Sequence, residues 1–589
     1  MNRRRFLFLM IVSAFLYLVV VLRLFYLQVF KGKQYKELSE KNYVRKRILY
    51  PQRGEILDRR GEKLAYDEPR YFLLLDPQKL EDREAIQSLI KNIKALFGVD
   101  LDYERLKKAQ GIQPLLITEL KTQEEIDRFY NYSFMLPGVY INTVPTRTYP
   151  YGQACAHVVG YTGYPSSKDL EKYKGRIGPQ SLVGMYGLER VFDDRLLGKV
   201  GAEEVMVNAS GRIVKRLGTL EPEKGHTIVC TVDIRVQRIA YEVFESSGHK
   251  AGGVILMDAR TGEVLALLSY PSFDPNLISE RWQEYTKDPL KPMFNRALLG
   301  RYPPASVVKP ALGIALLQKG VSPKEGVVCR GKLSIGNRDF YCWNRKGHGW
   351  ENLRGAIRDS CDVYFYHMGY YVLGFGEIEK AYRSFGYGED IPFELPHAKG
   401  FIPTPEWKRR RFKEPWYGGD TVNLSIGQGY MLSTLLEQTL MMMAIANNGV
   451  IYRPRLVREI RDKEGKSVWK AKREVYKVVK ASQEHFAIIR EALRDVVRSG
   501  TATSANSPIV EIAGKTGTAQ VSFHSVRRKN LPYHLRDHAW FVGFAPYRDP
   551  VFVIGVLVEH GGSGGSAAAP IARRILERIY IEGIHKELA

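Results

Sequence analysis

The sequence predicts a mixed α/β fold (α+β type) that follows one N-terminal transmembrane helix. Three observations predict it: a long apolar run near the start, a change of texture at residues 221–225, and short apolar strands that alternate with helices beyond that point. A chain of 589 residues exceeds a single hydrophobic core and predicts several folding units. We expect the last strands of the chain to join the first strands after residue 225 in one sheet.

Composition and charge exclude two broad classes. With 44% hydrophobic and 26% charged residues, the chain is not disordered throughout. The net charge of +24 raises the question of nucleic acid. The basic residues are scattered, however, and no nucleic-acid-binding module is visible. A basic surface that works near anionic lipid or an anionic polymer explains the charge, so no nucleic-acid partner is expected.

The N-terminal run predicts a membrane anchor. Residues 6–22 are uncharged and mostly apolar, and the run continues past Arg23 to Phe30. At about 1.5 Å per residue, the first stretch alone covers roughly 25 Å. A cleaved signal peptide is the alternative, but the end of the run lacks a small-x-small cleavage site. We therefore expect a cytoplasmic tail at residues 1–5, a single anchor at residues 6–30, and the catalytic domain on the periplasmic side of the inner membrane.

Two further domains are expected after the anchor. The Pro/Gly-containing stretch at 221–225 marks a boundary between a non-catalytic pedestal (residues 31–225) and a catalytic domain (residues 226–589). Within the pedestal we place a head subdomain at about residues 80–145. Residues 81–128 are predicted to be helical, because apolar side chains recur at helical spacing from Ile86 to Leu96.

A Ser-x-x-Lys motif supplies a candidate nucleophile. Ser306 follows Pro303-Pro304-Ala305, so it should lie near a helix N-terminus, where the dipole favours developing negative charge. Lys309 is three residues on and should share the helix face with Ser306. A lysine acts as a base near neutral pH only if burial or nearby positive charge lowers its pKa by about 3 units.

Two more motifs follow in order. Ser360-Cys361-Asp362 lies 54 residues after Ser306, and Lys515-Thr516-Gly517-Thr518 lies 155 residues after Ser360. In a strand, Lys515 and Gly517 would share one face, and Gly517 would allow a close backbone approach. Each motif is weak alone. Together they match the Ser-x-x-Lys, Ser-x-Asn/Asp, Lys-Thr-Gly set of penicillin-recognising serine acyltransferases.

The chain resembles the class B penicillin-binding proteins over nearly its whole length after the anchor. The family resemblance is carried by motifs of both domains, which are Arg53–Gly61, Arg147-x-Tyr149-Pro150, His157–Tyr161, Gly187-Leu188-Glu189 and Tyr270–Asn276. The segments that point to the penicillin-binding protein 2 branch, which serves cell elongation, are Gly347-His348-Gly349, Gly419–Asn423 and Ser425–Gly429, and Asp362 agrees with that branch. Two positions depart from the family pattern. Ala305 replaces the usual Gly, and Glu437 ends a Thr-Leu-Leu-Glu segment where Thr-Pro-Leu-Gln is common.

The resemblance implies a penicillin-binding/serine β-lactamase-like transpeptidase domain and a role for each motif. Lys309 would deprotonate Ser306, which attacks a D-Ala–D-Ala stem peptide. Ser360 would relay a proton to the leaving amine, and Asp362 would hold the site together. Lys515, Thr516 and Thr518 would bind the substrate carboxylate, and the backbone N–H groups of Ser306 and Thr518 would form the oxyanion hole.

Partners and rival functions follow from the same resemblance. Catalysis would need no cofactor, and β-lactams would acylate the nucleophile. The expected partners are peptidoglycan stem peptides, a RodA-type SEDS glycosyltransferase in the membrane, and an MreC-type elongasome protein. The alternatives are a D,D-carboxypeptidase or β-lactamase-like hydrolase, and a non-catalytic scaffold or β-lactam sensor.

The cysteines support a separate hypothesis. Three of the five cluster in sequence with a histidine, as Cys329, Cys342, His348 and Cys361. Three thiolates and one imidazole suit a closed structural zinc site. Two alternatives remain open at this point: a Cys329–Cys342 disulfide, as an oxidising compartment would allow, and unlinked thiols.

Overall fold

The computed structural model describes residues 3–31, 33, 44–75, 83–102, 115–178, 181–207, 213–521 and 531–588. The first residues of the predicted pedestal (32 and 34–43) and parts of the predicted head (80–82 and 103–114) lie outside the described residues. The chain divides into two compact units.

The first unit contains residues 1–53, 164–182 and 197–225. Its N-terminal helix, Arg3–Phe25, continues into a π-helical turn, Tyr26–Phe30. The stretch Phe6–Phe30 is long and apolar enough to cross a membrane, as the sequence predicts, and none of it is buried against the rest of the described chain. The unit also has one short helix and a three-stranded antiparallel sheet; these elements are Ser167–Lys172, Val44–Leu49, Gly201–Val207 and Ile213–Leu220.

The second unit begins with the head. A long strand, Lys63–Leu75, pairs with two antiparallel neighbours, Leu115–Leu120 and Val139–Thr148. Helices Arg83–Phe97 and Gln123–Tyr132 accompany this sheet. The first helix buries Ile86, Leu89 and Ile93, as its spacing predicts.

The prediction of continuous helix over residues 81–128 is wrong at residues 98–102, which follow the end of the first helix, and at residues 115–120, which form a strand. Each residue of the strand Leu115–Leu120 except Ile117 has a register partner in Lys63–Leu75. Pairing with a distant strand satisfies the backbone there, and such tertiary pairing overrides a weak local helical pattern.

The catalytic domain is built on a five-stranded antiparallel sheet. Its strands, in spatial order, are Val264–Tyr270, Gly252–Asp258, Phe552–Val558, His538–Ala545 and Ala513–Ala519. A C-terminal strand therefore lies beside the first strand of the domain, as the sequence predicts. A second sheet of the unit combines the head strands with Ile56–Leu57, Thr227–Cys230, Val457–Arg461 and Ser467–Lys470.

Helices cover both faces of the five-stranded sheet. A Cβ on Gly252 would meet Phe244 of helix Ile234–Glu245, whereas a Cβ on Gly555 would meet Thr439 on the opposite face. Every residue of helix Leu435–Ala446 is buried, including its three methionines. The remaining helices are Ile278–Lys287, Lys309–Gln318, Leu353–Arg358, Asp362–His367, Gly374–Ser384, Pro405–Phe412, Gly418–Leu424, Gln483–Arg498, Ala568–Ile581 and Ile584–Leu588.

Three small hairpin-like pairs complete the domain. They are Gly326–Cys329 with Gly349–Asn352, Lys332–Ile335 with Arg338–Tyr341, and Val450–Tyr452 with Val475–Val478. The first two lie in the sequence between the Ser306 and Ser360 motifs. The strand Ala513–Ala519 ends the five-stranded order, and it packs against the 3₁₀ turn that carries Ser306.

Candidate active site

The nucleophile motif lies on a tight turn that leads into a buried helix. Residues Ala305–Val308 form a 3₁₀ turn, and the α-helix Lys309–Gln318 follows it directly. Ser306 is half-buried in this turn. The sequence prediction of a serine at a helix N-terminus matches this arrangement, because a 3₁₀ first turn is common at such ends.

The residue before the nucleophile is held in an unfavourable conformation. Ala305 has φ +51°, in the left-handed region. An L-residue with a Cβ is about 1–2 kcal/mol less stable there than in right-handed backbone. Its N–H donates to the carbonyl oxygen of Gly427 at 2.9 Å, which fixes the turn. The Gly usual at this position in the family would adopt the same φ without that penalty.

Lys309 lies at the centre of the buried polar network. Its side chain is fully buried, and its ammonium group donates to the Ser360 carbonyl oxygen at 2.9 Å and the Ser360 hydroxyl at 3.3 Å. It also donates to Oδ1 of Asp362 at 2.7 Å. Within the described part of the chain these are the hydrogen bonds of the Lys309 side chain, so its contact with the Ser306 hydroxyl stays a prediction.

Asp362 joins three segments, as expected of a residue that holds the site together. One carboxylate oxygen accepts from Lys309, and the other accepts from the backbone N–H of Trp343 at 3.0 Å. Ser360, two residues earlier, has φ +54°. A second left-handed residue beside the same lysine is consistent with backbone strain concentrated at a functional site.

The third motif lies on the edge strand of the sheet. Lys515 is fully buried, and its side-chain nitrogen donates to the Thr516 carbonyl oxygen at 3.1 Å. Burial, reinforced by the charge of the neighbouring Lys309, holds the pKa of Lys515 well below its usual range. Two lysines thus share an enclosed site with the Asp362 carboxylate, and Lys515 is the one whose pKa this arrangement lowers.

Gly517 permits the close approach that the motif analysis predicts. A Cβ built on it would lie 2.8 Å from Cγ2 of Val307 and 3.3 Å from the carbonyl oxygen of Pro304. Both atoms belong to the segment around Ser306. Any larger residue would therefore push the strand away from the nucleophile turn.

The two threonines of the motif differ in exposure. Thr516 is buried, and its hydroxyl lies 2.7 Å from that of Thr501. Thr518 is exposed, and Gln428 donates to its carbonyl oxygen at 3.3 Å. Of the three residues expected to bind the substrate carboxylate, Thr518 alone presents its side chain to solvent.

Sequence reasoning assigned no role to Thr501 or Gln428. Gln428 stands in a Ser-Ile-Gly-Gln-Gly segment that marks the family branch, and that glycine-rich motif was the available signal. Thr501 is an ordinary residue after a helix and has no motif around it. Its contact with Thr516 depends on tertiary packing alone.

The cysteine–histidine cluster assembles in space. The ligand atoms of Cys329, Cys342, His348 and Cys361 all lie within 4.8 Å of one another. Nδ1 of His348 lies 3.7 Å from the sulfur of Cys329 and 3.5 Å from that of Cys342. In a tetrahedral zinc site with Zn–S of about 2.3 Å and Zn–N of about 2.05 Å, the nitrogen–sulfur separation is about 3.6 Å.

Zinc binding requires thiolates and a neutral imidazole, so Cys342 suits a metal as it stands, whereas His348 would release a proton on binding. Hydrogen bonding from Cys361 lowers the pKa of Cys342 to about 3, despite burial. A hydrogen bond to Cys342 raises the pKa of His348 to about 9. All five cysteines are free thiols, so the structure contains no Cys329–Cys342 disulfide. Because Cys361 stands between Ser360 and Asp362, the cluster anchors the second catalytic motif.

Comparisons with known proteins agree with this geometry. The family model for the penicillin-binding protein transpeptidase domain matches residues 252–577, and the model for the penicillin-binding protein dimerisation domain matches residues 48–230. The peptidoglycan D,D-transpeptidase MrdA of Acinetobacter baumannii is 34% identical over 94% of this chain and 84% of its own length.

Solved structures are similar over nearly the whole chain. The penicillin-binding protein PBP2 from Helicobacter pylori, solved in a complex with MreC, is 28% identical with a TM-score of 0.76, and the match covers 92% of this chain and 99% of that one. A chain from a structure of a peptidoglycan synthase complex that coordinates polymerization and crosslinking is also 28% identical, with a TM-score of 0.76 and coverage of 98% of both chains.

Proposed function

Since this chain belongs to the penicillin-binding protein 2 branch of the class B penicillin-binding proteins, we propose that Ser306 is the residue that carries the acyl group in its reaction. The enzyme is a serine-type peptidoglycan D,D-transpeptidase that cross-links D-Ala–D-Ala stem peptides during cell elongation. The observation that carries the residue assignment is the convergence of the Ser306 turn, Ser360 and Lys515 around the buried Lys309.

The lysine pair supplies the proton acceptor. Lys309 takes the proton of Ser306 as the hydroxyl oxygen attacks the penultimate D-Ala carbonyl. Burial holds the pKa of Lys515 well below its usual range, and this keeps the positive charge of the enclosed lysine pair low. Ser360, which accepts from Lys309, returns the proton to the amine of the departing D-Ala.

The strand at the sheet edge positions the substrate. The backbone N–H groups of Ser306 and Thr518 stabilise the oxyanion of the tetrahedral intermediate, and the exposed Thr518 hydroxyl contacts the terminal carboxylate. Thr516 acts by holding the strand to Thr501. An amine from a neighbouring stem peptide then attacks the acyl-serine, forms the new amide and releases Ser306.

The products of a polymer reaction test this assignment. Full-length enzyme incubated with glycan strands bearing pentapeptides should release D-Ala and form cross-linked dimers, and Ser306→Ala should do neither. Ser334→Ala, in an exposed hairpin, is the matched control and should behave as the wild type. Release of D-Ala without dimers would favour the D,D-carboxypeptidase alternative. Dimers formed by Ser306→Ala would contradict the assignment.

The cysteine–histidine cluster is proposed to bind one structural zinc ion. The separations of 3.5 and 3.7 Å between nitrogen and sulfur and the thiolate character of Cys342 support it. Purified protein should contain about one zinc per chain, and Cys329→Ser/Cys342→Ser should contain none. Cys155→Ser/Cys230→Ser, which replaces two buried cysteines elsewhere, is the control. Metal-free wild type that lacks two titratable thiols would show the disulfide instead.

The orientation in the membrane is proposed from the N-terminal charges. Three arginines precede the apolar run Phe6–Phe30, so the N-terminus is on the cytoplasmic side and the catalytic domain is on the outer side. Protease added outside spheroplasts should digest the catalytic domain. Complete protection of that domain would reverse the orientation.

We also propose a RodA-type SEDS polymerase and an MreC-type protein as partners. The support is the similarity to a PBP2 that was solved with MreC and to a chain of a peptidoglycan synthase complex. The polymerase should co-purify with the full chain and not with a chain lacking residues 1–30. Equal recovery with both would count against an interface that involves the anchor.

A further inference from the structure

A cluster of exposed aromatic and arginine side chains lies beside the segment that supports the nucleophile turn. Helix Pro405–Phe412 contributes Trp407 and Phe412, whose rings lie 5.2 and 5.1 Å from the ring of Tyr430. Phe412 and Tyr430 are 42% and 40% exposed, so the cluster is a surface feature and is not part of the core. We name this cluster, together with Arg409, Arg410 and Arg411, the arginine–aromatic patch.

The arginines of the patch are available to a ligand. Arg409, Arg410 and Arg411 are exposed and form no ion pair within the described residues. Lys408 in the same run differs, because it is buried and paired with Asp420 at 2.6 Å. That ion pair joins the helix to Asp420 and involves none of the three arginines.

The patch contains an open cleft of about 420 Å³. Arg410, Arg411 and Trp407 line it, together with Thr404 and Glu406. Glu406 is the single acidic residue of the lining, against two arginines. A cleft with this composition suits an anionic ligand, because guanidinium groups bind carboxylates in a bidentate manner and the aromatic faces offer apolar contact.

The patch is connected to the active site by one short segment of chain. The carbonyl oxygen of Gly427 accepts from the N–H of Ala305, next to the nucleophile, and the side chain of Gln428 donates to the carbonyl oxygen of Thr518 on the edge strand. Tyr430 follows two residues later in the patch, and Leu432 then pairs with Phe401, which packs on Trp407. Three steps of about 3.8 Å limit the Cα separation of Gly427 and Tyr430 to about 11 Å.

We propose that the arginine–aromatic patch is a subsite for the carboxylate-bearing stem peptides of the peptidoglycan strand that is being cross-linked. The inference rests on the transpeptidase function and extends it to the recognition of polymer. Stem peptides on an uncross-linked strand carry free carboxylates that match the unpaired arginines, and the segment from Gly427 to Tyr430 places the patch within a short distance of Ser306.

A binding measurement tests the proposal with the full-length chain in detergent. The probe is a soluble uncross-linked glycan strand bearing pentapeptides, and Arg410→Glu/Arg411→Glu is compared with the wild type. Loss of two guanidinium–carboxylate contacts should weaken binding and lower the initial rate of dimer formation by at least about tenfold. Lys319→Glu/Lys324→Glu makes the same change of charge at exposed lysines elsewhere in the domain and should leave both unchanged.

Two further measurements separate a loss of strand binding from misfolding and from a role in membrane binding. Fluorescent-penicillin labelling of Ser306 reports the fold and the transpeptidase chemistry of each variant independently of polymer binding. If Arg410→Glu/Arg411→Glu fails to label, Arg410→Gln/Arg411→Gln takes its place. Phosphatidylglycerol vesicles test a membrane-facing role. Wild-type strand binding in the arginine variants would overturn the proposal, and so would loss of vesicle binding alone.

Discussion

Gly517→Ala should separate the edge strand from the nucleophile turn. The new Cβ would lie 2.8 Å from Cγ2 of Val307, about 0.6 Å inside an ordinary contact, and 3.3 Å from the Pro304 carbonyl oxygen. Val307 is fully buried and cannot swing into solvent. Overpacking of this kind costs about 1–3 kcal/mol. If that strain falls on the alignment of Thr518 with Ser306, the rate of acylation should decrease by about tenfold to a hundredfold.

The second-order rate of acylation by a fluorescent penicillin measures this effect. Val307→Ala removes the clashing methyl group, so the double variant Gly517→Ala/Val307→Ala should recover most of the lost rate. Val307→Ala alone is the control for the cavity that the truncation leaves. Wild-type acylation by Gly517→Ala, or a double variant no faster than Gly517→Ala, would refute the claim that Gly517 is required for close approach.

Three other predictions concern stability. Ala305→Gly should stabilise the protein by about 0.5–1 kcal/mol, because glycine adopts φ +51° without a Cβ clash. An unchanged or lower unfolding midpoint would contradict the claim that the backbone is strained at Ala305. Burial raises the pKa of Glu437 to about 7. Between about pH 4.5 and 7 the folded state therefore binds more protons than the unfolded state, and the protein loses stability as the pH rises through that window. The unfolding midpoint of Glu437→Gln should lack this pH-dependent decrease, and parallel profiles would exclude Glu437 as its source. Arg147→Ala removes the buried guanidinium that lies 2.7 Å from Glu189 and 3.1 Å from Asp67, and it should lower the free energy of unfolding by about 3–5 kcal/mol in denaturant. The control is Arg238→Ala, which breaks an exposed ion pair with Glu242 and should lower it by less than about 0.5 kcal/mol. Equal effects of the two variants would contradict the importance of burial.

The sequence predicted the parts of the site that depend on short motifs. Ser306, Lys309 and Ser360 each stand in a pattern whose chemistry requires proximity, and the structure brings Lys309 and Ser360 within 3.3 Å. The cysteine–histidine cluster was predicted in the same way, from donor types alone. In each case the residue types limit the chemistry that the site can perform.

The remaining features depend on contacts between distant segments. The left-handed backbone at Ala305 depends on a hydrogen bond to Gly427, more than a hundred residues away. The strand Leu115–Leu120 forms because Lys63–Leu75 offers an edge, and its own sequence resembled the helices around it. The depressed pKa of Lys515 requires burial beside Lys309, which no spacing along the chain specifies.

The most direct test of the account is the position of the covalent adduct. Full-length enzyme is incubated with benzylpenicillin, digested, and mapped by tandem mass spectrometry. The account predicts one penicilloyl group per chain, on Ser306, in a long-lived adduct that is absent from Ser306→Ala. An adduct on another residue, or equal labelling of Ser306→Ala, would contradict the central claim.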